Sequence, residues 1–176
     1  MAAVTKYSLG LRYGFITGTI YFILLFCRYK IFSSDSRRFV ICAVVSYFII
    51  LIMYLITAIA RKRELGGYGT MNEIFTAVFI VILLTELIYI VFNLIYFKLV
   101  DPSFWENFRT ATRTQLQMAH VPNDQIEQQM NSFKEMEAQT SPGSLIKGYG
   151  ISVVIDSVFG LIFAIILRKP NTPVKK

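Results

Sequence analysis

The stretch IFTAVFIVILLTELIYIVFNLIYF, Ile74 to Phe97, decides the fold. No proline or glycine interrupts it, and its one carboxylate, Glu86, sits in otherwise hydrocarbon-seeking sequence. At about 1.5 Å of rise per residue, about 20 residues cross a hydrocarbon core of roughly 30 Å, so this run reads as a membrane-spanning helix. Three further apolar runs flank it: Tyr13 to Cys27 after a glycine-rich start, Phe39 to Ala60, and Ile151 to Leu167. The composition agrees. With 176 residues, 55% hydrophobic and 15% aromatic, the chain has more apolar side chain than one small soluble core hides, and the surplus must face lipid. The expected fold class is all-α: an integral membrane four-helix bundle in a single domain, residues 1–176. Its helices run over about 9–27, 39–60, 74–97 and 150–167, with an extramembrane helical insertion at 99–147. Lys6 and Arg12 precede the first run as they would in a secretion signal. Cys27-Arg28-Tyr29-Lys30 offers no small-residue cleavage site, and Leu24-Leu25-Phe26-Cys27 lacks the small residues that lipid attachment requires, so the run is kept as a membrane helix.

Charge sets the expected orientation. The net charge is +7. If the N-terminus is cytoplasmic, the inner segments hold Lys6, Arg12, Arg61, Lys62, Arg63, Arg168, Lys169, Lys175 and Lys176, nine of the eighteen basic residues. The outer segments hold Arg28, Lys30, Arg37 and Arg38 in a short hairpin, which argues the other way, and five more along the long insertion, where basic residues count weakly. The expectation from charge is that both termini are cytoplasmic and residues 99–147 lie on the opposite side of the membrane. Its basic residues flank apolar runs, so they read as topology signals and headgroup contacts; no nucleic-acid partner is expected.

The connections carry little chemistry. Ser33-Ser34-Asp35-Ser36 is a polar turn. In RKRELGGYGTMNEIF, Thr70-x-x-Glu73 is a capping box opening the third helix, and Gly66-Gly67-x-Gly69 lacks the strand and the Lys-Ser/Thr of a phosphate-binding loop. Cys27 and Cys42 reach similar depth, suiting either a disulfide or ordinary small apolar residues. His120 reads as a surface residue, no Cys/His spacing suggests a metal, and no cofactor is expected. With no His-x-x-x-His, no Gly-x-Ser-x-Gly and no acidic cluster beyond the isolated Asp101 and Glu106, no catalytic residue is named.

Within the insertion, Asp101-Pro102 reads as a helix start, with aspartate as cap. Trp105, Phe108, Thr112, Leu116 and Ala119 then recur down one face. A second start at Pro122-Asn123-Asp124 leads to the stripe Ile126, Met130 and Phe133. These two short amphipathic helices cannot fold alone. They either pack over the outer end of the bundle, lie at the bilayer interface, or grip a partner, with Trp105, Phe108, Ile126, Met130 and Phe133 as the contact residues. Ser141-Pro142-Gly143-Ser144 breaks the pattern before the last span.

Small residues mark where helices touch. Gly10, Gly14 and Gly18 form one smooth face; Asp156, Gly160 and Ala164 form another. Helix one packing on helix four would use both; alternatively the glycine face makes a homodimer. Glu86 and Asp156 fall near mid-membrane on helices of opposite direction, so both should face the interior. No lysine or arginine is expected at that level, and at least one acid is then expected to keep its proton at neutral pH. Two uses follow. The pair is either a proton- or cation-binding site of a coupled transporter, or interhelical glue bonded to a tyrosine, to Thr85 or Ser157, or to each other. The third span has no Pro/Gly break and the halves show no inverted repeat, which favours glue.

YFKLVDPSFWENF after the third helix, the QIEQQM helix, the GGYGTMNEIF approach and the closing helix ending in RK resemble the domain of unknown function 4199 family, small inner-membrane proteins of Bacteroidota. The resemblance covers nearly the whole chain and implies architecture and lineage, with no established activity and no catalytic residue to carry over. It also implies a setting near polyprenyl-phosphate glycosyltransferases, hence an accessory role in lipid-linked glycan synthesis. The leading expectation is a non-enzymatic subunit or scaffold of a cell-envelope complex, in contact with the bilayer and with a membrane-protein partner or a second copy. The rival is a small proton- or cation-coupled transporter.

Overall fold

The computed structural model describes residues 2–169, with side chains described from Tyr7 onward; Lys175, Lys176 and the side chain of Lys6, counted above among the topology charges, lie outside that range. The described chain is all-α. In order come α1 (Ala2–Lys30), α2 (Ser36–Glu64), α3 (Met71–Ile95), α4 (Phe104–Met118), α5 (Asn123–Gln139) and α6 (Pro142–Leu167). Four helices are long and apolar enough to cross a membrane: α1, α2, α3 extended by a π-helical turn to Val100, and α6. Their outer faces carry exposed apolar side chains such as Phe15, Phe48, Leu87 and Val154. Bare hydrocarbon over so much of a surface is stable only against lipid.

Helix ends follow local chemistry. Asp35 caps α2 by accepting from the N–H groups of Arg37 and Arg38 at 3.0 and 3.2 Å. At α3 the capping box forms as read: the Glu73 N–H donates to Thr70 Oγ1 and the Thr70 N–H to Glu73 Oε2. Asp101 does not cap α4. Ser103 occupies that position without a side-chain cap bond, and the Asp101 carboxylate accepts instead from the Ser103 hydroxyl at 3.3 Å. Ser141-Pro142-Gly143-Ser144 does not break the chain before α6 but starts it, because Ser141 Oγ accepts from the Ser144 N–H and Pro142 fits a first turn that needs no N–H. The last helix therefore begins well before residue 150.

α3 is the hub. It contacts α1, α2 and α6, and Ala77, Val78, Val81, Ile82 and Thr85 have no exposure. The expected packing of the first helix on the last does not occur, since α1 and α6 make no extended contact. Both small-residue faces abut α3 instead. A Cβ at Gly10 would stand 3.1 Å from the Ala77 carbonyl oxygen, while Gly14 and Gly18 receive Leu84 and Ile88. Gly160 receives Val78 and Ile82 on another side of α3, and Ala164 is fully buried in the same cluster. α3 is the richest of the long helices in bulky side chains, so it fills both smooth faces at once.

Two links define the ends. A bridge between Gly69 and Lys169, with both N–H···O bonds at 2.9 Å, ties the α2–α3 turn to the end of α6. At the other end Gln115 of α4 donates to the Ser34 carbonyl at 2.6 Å, tying α4 to the α1–α2 turn. The start of α1 and the end of α6 thus share one end of the molecule, and α4–α5 covers the other.

The α4–α5 layer is part of the core. Trp105, Phe108, Ile126, Met130 and Phe133, read as partner contacts, are 1–7% exposed and pack with Leu25, Tyr29, Phe39, Phe92, Tyr96 and Phe104. Ring pairs run through this cluster, including Phe39 to Phe108 at 4.8 Å and Phe108 to Phe133 at 5.0 Å between centroids. Each such side chain contributes about 1.5–3 kcal/mol on burial, enough for the bundle end to claim the stripe for itself. These five residues therefore offer no free contact surface. The π-helical turn Tyr96–Val100 helps the chain turn into α4: the Asp101 N–H reaches the Tyr96 carbonyl at 2.8 Å and the Tyr96 hydroxyl donates to the Tyr29 carbonyl.

Candidate intramembrane acidic site

Glu86 lies at the middle of the span Met71–Val100 and Asp156 near the middle of Pro142–Leu167. Both face inward, at 8% and 3% exposure. They line one cavity of about 380 Å³ together with Tyr21, Arg28, Tyr47, Tyr89, Ser152 and Ile155. All four membrane-capable helices contribute: α1 gives Tyr21 and Arg28, α2 Tyr47, α3 Glu86 and Tyr89, and α6 the rest.

Asp156 is held by tyrosines. Tyr54, fully buried on α2, donates to Asp156 Oδ2 at 2.9 Å, and Tyr47, two helical turns earlier, donates to Oδ1 at 3.2 Å. The Ser152 hydroxyl faces Glu86. Of the glue partners named from sequence, only the tyrosines bond an acid: Ser157 donates to the Val153 carbonyl at 2.6 Å, and Thr85 Oγ1 is buried with no hydrogen-bond partner. Arg28 stands nearer the α4–α5 end than the acids do: its neighbour Tyr29 packs on Tyr96, ten residues beyond Glu86 on α3. Arg28, at the end of α1, reaches inward into the cavity, its guanidinium 4.1 Å from the Phe39 ring centroid. It forms no ion pair within 4.0 Å of either acid.

The cavity has a polar side and a sealed side. Toward α4–α5 a second cavity of about 490 Å³ shares Tyr89 and Ser152 with it and continues past Lys147, Ser144 and Gln139. Toward the chain termini lies packed hydrocarbon, with Ile50, Ala58, Ile74, Val78, Val81, Ile82 and Ala164 at 0–3% exposure.

Several of these residues were missed from sequence. Tyr47 and Tyr54, seven apart in an apolar run, lie on one helix face, a spacing that could have paired them with an acid. Arg28 was read as a flanking charge because nothing in sequence shows whether an arginine at a helix end points outward or inward. The other candidates fall elsewhere: Gly10, Gly14, Gly18, Gly160 and Ala164 serve packing, and the cysteines Cys27 and Cys42 are free.

The site is therefore a cluster of ionisable and phenolic side chains within a membrane-capable helical protein. Comparison with known families matches residues 12–169 to the family described as Protein of unknown function (DUF4199), and the chain belongs to that family. Neither curated proteins nor solved structures give a match.

Proposed function

We propose that this membrane protein is a small non-enzymatic carrier in which Glu86 and Asp156 exchange protons or cations with a bound solute. One observation carries the reading: a cavity at mid-span, lined by side chains from all four membrane-capable helices and holding both acids. Intramembrane acids are costly, and lining a cavity is where they mark ion or substrate pathways. A proton and a cationic group compete for the same carboxyl oxygens, so occupation by one expels the other. That mutual exclusion is a coupling between two ligands, and it is reciprocal. Tyr54 and Tyr47 fix the Asp156 carboxyl, leaving Glu86, opposite Ser152, as the freer of the pair.

The proposed setting is a bacterial inner membrane, with the termini cytoplasmic and the α4–α5 layer periplasmic. Supporting it, Arg12, Arg61, Lys62, Arg63, Arg168 and Lys169 gather at the terminal end, while Arg28 turns into the cavity and Arg38 pairs with Asp35 at 3.1 Å. Of the contrary charges in the α1–α2 hairpin, Arg28 is partly buried, while Lys30, Arg37 and Arg38 stay exposed. A scaffold role, or one as accessory to lipid-linked glycan synthesis, would need a face other than the buried Trp105–Phe108 stripe, and the homodimer reading a face other than the glycines that α3 covers.

Reconstitution tests the proposal. Vesicles carrying the full chain should dissipate an imposed pH gradient in the presence of amine or zwitterionic solutes, and Glu86→Gln should abolish this. No flux in vesicles whose protein is shown to be folded and inserted contradicts the carrier reading.

A further inference from the structure

We propose that the cavity takes a small ligand bearing both a primary ammonium and an anionic group, the ammonium seated at Glu86 and Asp156 and the anion at Arg28. The inference rests on reading this cavity as a binding site and names what fills it.

Charge arrangement comes first. The cavity holds both signs, yet they do not neutralise each other, since no carboxylate lies within 4.0 Å of the Arg28 guanidinium. Arg28 instead lies over aromatic rings, 4.1 Å from the Phe39 centroid and 5.5 Å from that of Tyr29. Its Nε is buried with no hydrogen-bond partner. That nitrogen is out of a ligand's reach, but the other guanidinium N–H groups also donate no hydrogen bond among the described residues, and an anionic oxygen in the cavity would accept from them through short charge-assisted bonds. Between the poles stand Tyr21 and Tyr89, stacked at 5.9 Å, each within electrostatic reach of both Arg28 and Glu86. Tyrosine faces attract an ammonium, so the passage between the poles suits one.

Size and access point the same way. About 380 Å³ fits a small molecule and not a polymer. The adjoining 490 Å³ cavity carries Lys147, which an anionic group would meet on the way in. A purely cationic ligand would leave Arg28 unpaired and repel it, and a purely anionic one would face two carboxyls. Only a ligand with both poles answers the whole lining. Two sources supply that chemistry: a free zwitterion in water, or the headgroup of an aminophospholipid entering from the bilayer.

Titration calorimetry on the purified full chain separates the outcomes. Phosphoethanolamine carries both poles, while ethanolamine and inorganic phosphate carry one each. Phosphoethanolamine should bind about tenfold or more tighter than either, since each pole adds at least one charge-assisted contact. Arg28→Gln should reduce its affinity to that of ethanolamine, and Glu86→Gln to that of phosphate. Arg28→Lys, which keeps the charge, should retain part of the preference and guards against a folding defect in the Gln variant. In phosphatidylethanolamine nanodiscs, weaker binding of the soluble probe than in phosphatidylglycerol discs assigns the lipid headgroup; equal binding assigns a free zwitterion. Equal affinity for all three probes, or no binding of any with no lipid dependence, overturns the proposal. Two-pole binding without pH-driven flux keeps this assignment and removes the carrier; flux without a two-pole preference does the reverse.

Discussion

Removing the Tyr54 hydroxyl isolates what holds Asp156. Tyr54 has no exposure, so in Tyr54→Phe no water replaces the 2.9 Å bond to Oδ2, and the ring packing stays unchanged. Interhelical hydrogen bonds in membranes contribute about 0.6 kcal/mol on average and up to about 1.7. Bonds to charged groups in water-soluble proteins contribute about 1.5–3 kcal/mol. The α2–α6 bond is short, buried and made to a carboxyl, so a loss of about 1–2 kcal/mol is expected. Tyr47→Phe should cost less than about 0.6 kcal/mol, because its bond is longer at 3.2 Å and Tyr47 is 41% exposed. Reversible unfolding in mixed dodecyl sulfate micelles reads both. A cycle with Asp156→Leu completes the test: with the acceptor gone, Tyr54 is an orphaned donor, and Tyr54→Phe on that background should be neutral or stabilising. An equal loss in both backgrounds would refute the assignment of the bond, as would no change on the native background.

Other perturbations follow from packing. Phe108→Ala should destabilise the chain by about 3–5 kcal/mol and expose α4–α5 to protease, because it opens a hole in the aromatic cluster; unchanged proteolysis would place that layer off the bundle. Gly10→Val should cost about 1–3 kcal/mol in the same micelle assay, since its Cβ would stand 3.1 Å from both the Ala77 carbonyl oxygen and Ile80 Cβ, neither of which can swing aside, whereas Gly150→Val, with nothing within 4 Å, should cost less than about 0.5 kcal/mol. Thr70→Ala, which removes the acceptor for the Glu73 N–H, should lower stability by about 1 kcal/mol.

How much of this could be read from the chain depends on which force acts. The four long helices were legible because lipid exposure demands unbroken apolar runs, and the Thr70–Glu73 capping box because its chemistry is local. The inward position of Glu86 and Asp156 was legible from the cost of an acid in hydrocarbon. Pairing was not. The glycine face of α1 and the Gly160 face of α6 are equally smooth, and only the bulk of α3 decides that both meet it. The stripe of α4 and α5 looked like a docking surface because nothing in its own sequence reveals the aromatic cluster of Tyr29, Phe39 and Tyr96 waiting beneath it. Arg28 illustrates the remaining gap, since its course is set by Phe39 on the next helix.

The central claim is that water reaches the acids from the α4–α5 side and not from the side of the termini. Labelling of Ser152→Cys, in a chain with Cys27 and Cys42 replaced by serine, tests this most directly. A membrane-impermeant maleimide added on the α4–α5 side of sealed vesicles should modify Cys at 152, and phosphoethanolamine should slow the reaction, while Val81→Cys beneath the cavity stays unlabelled from either side. A Ser152→Cys chain that is folded yet inert to the reagent, or that reacts only from the side of the termini, would contradict it.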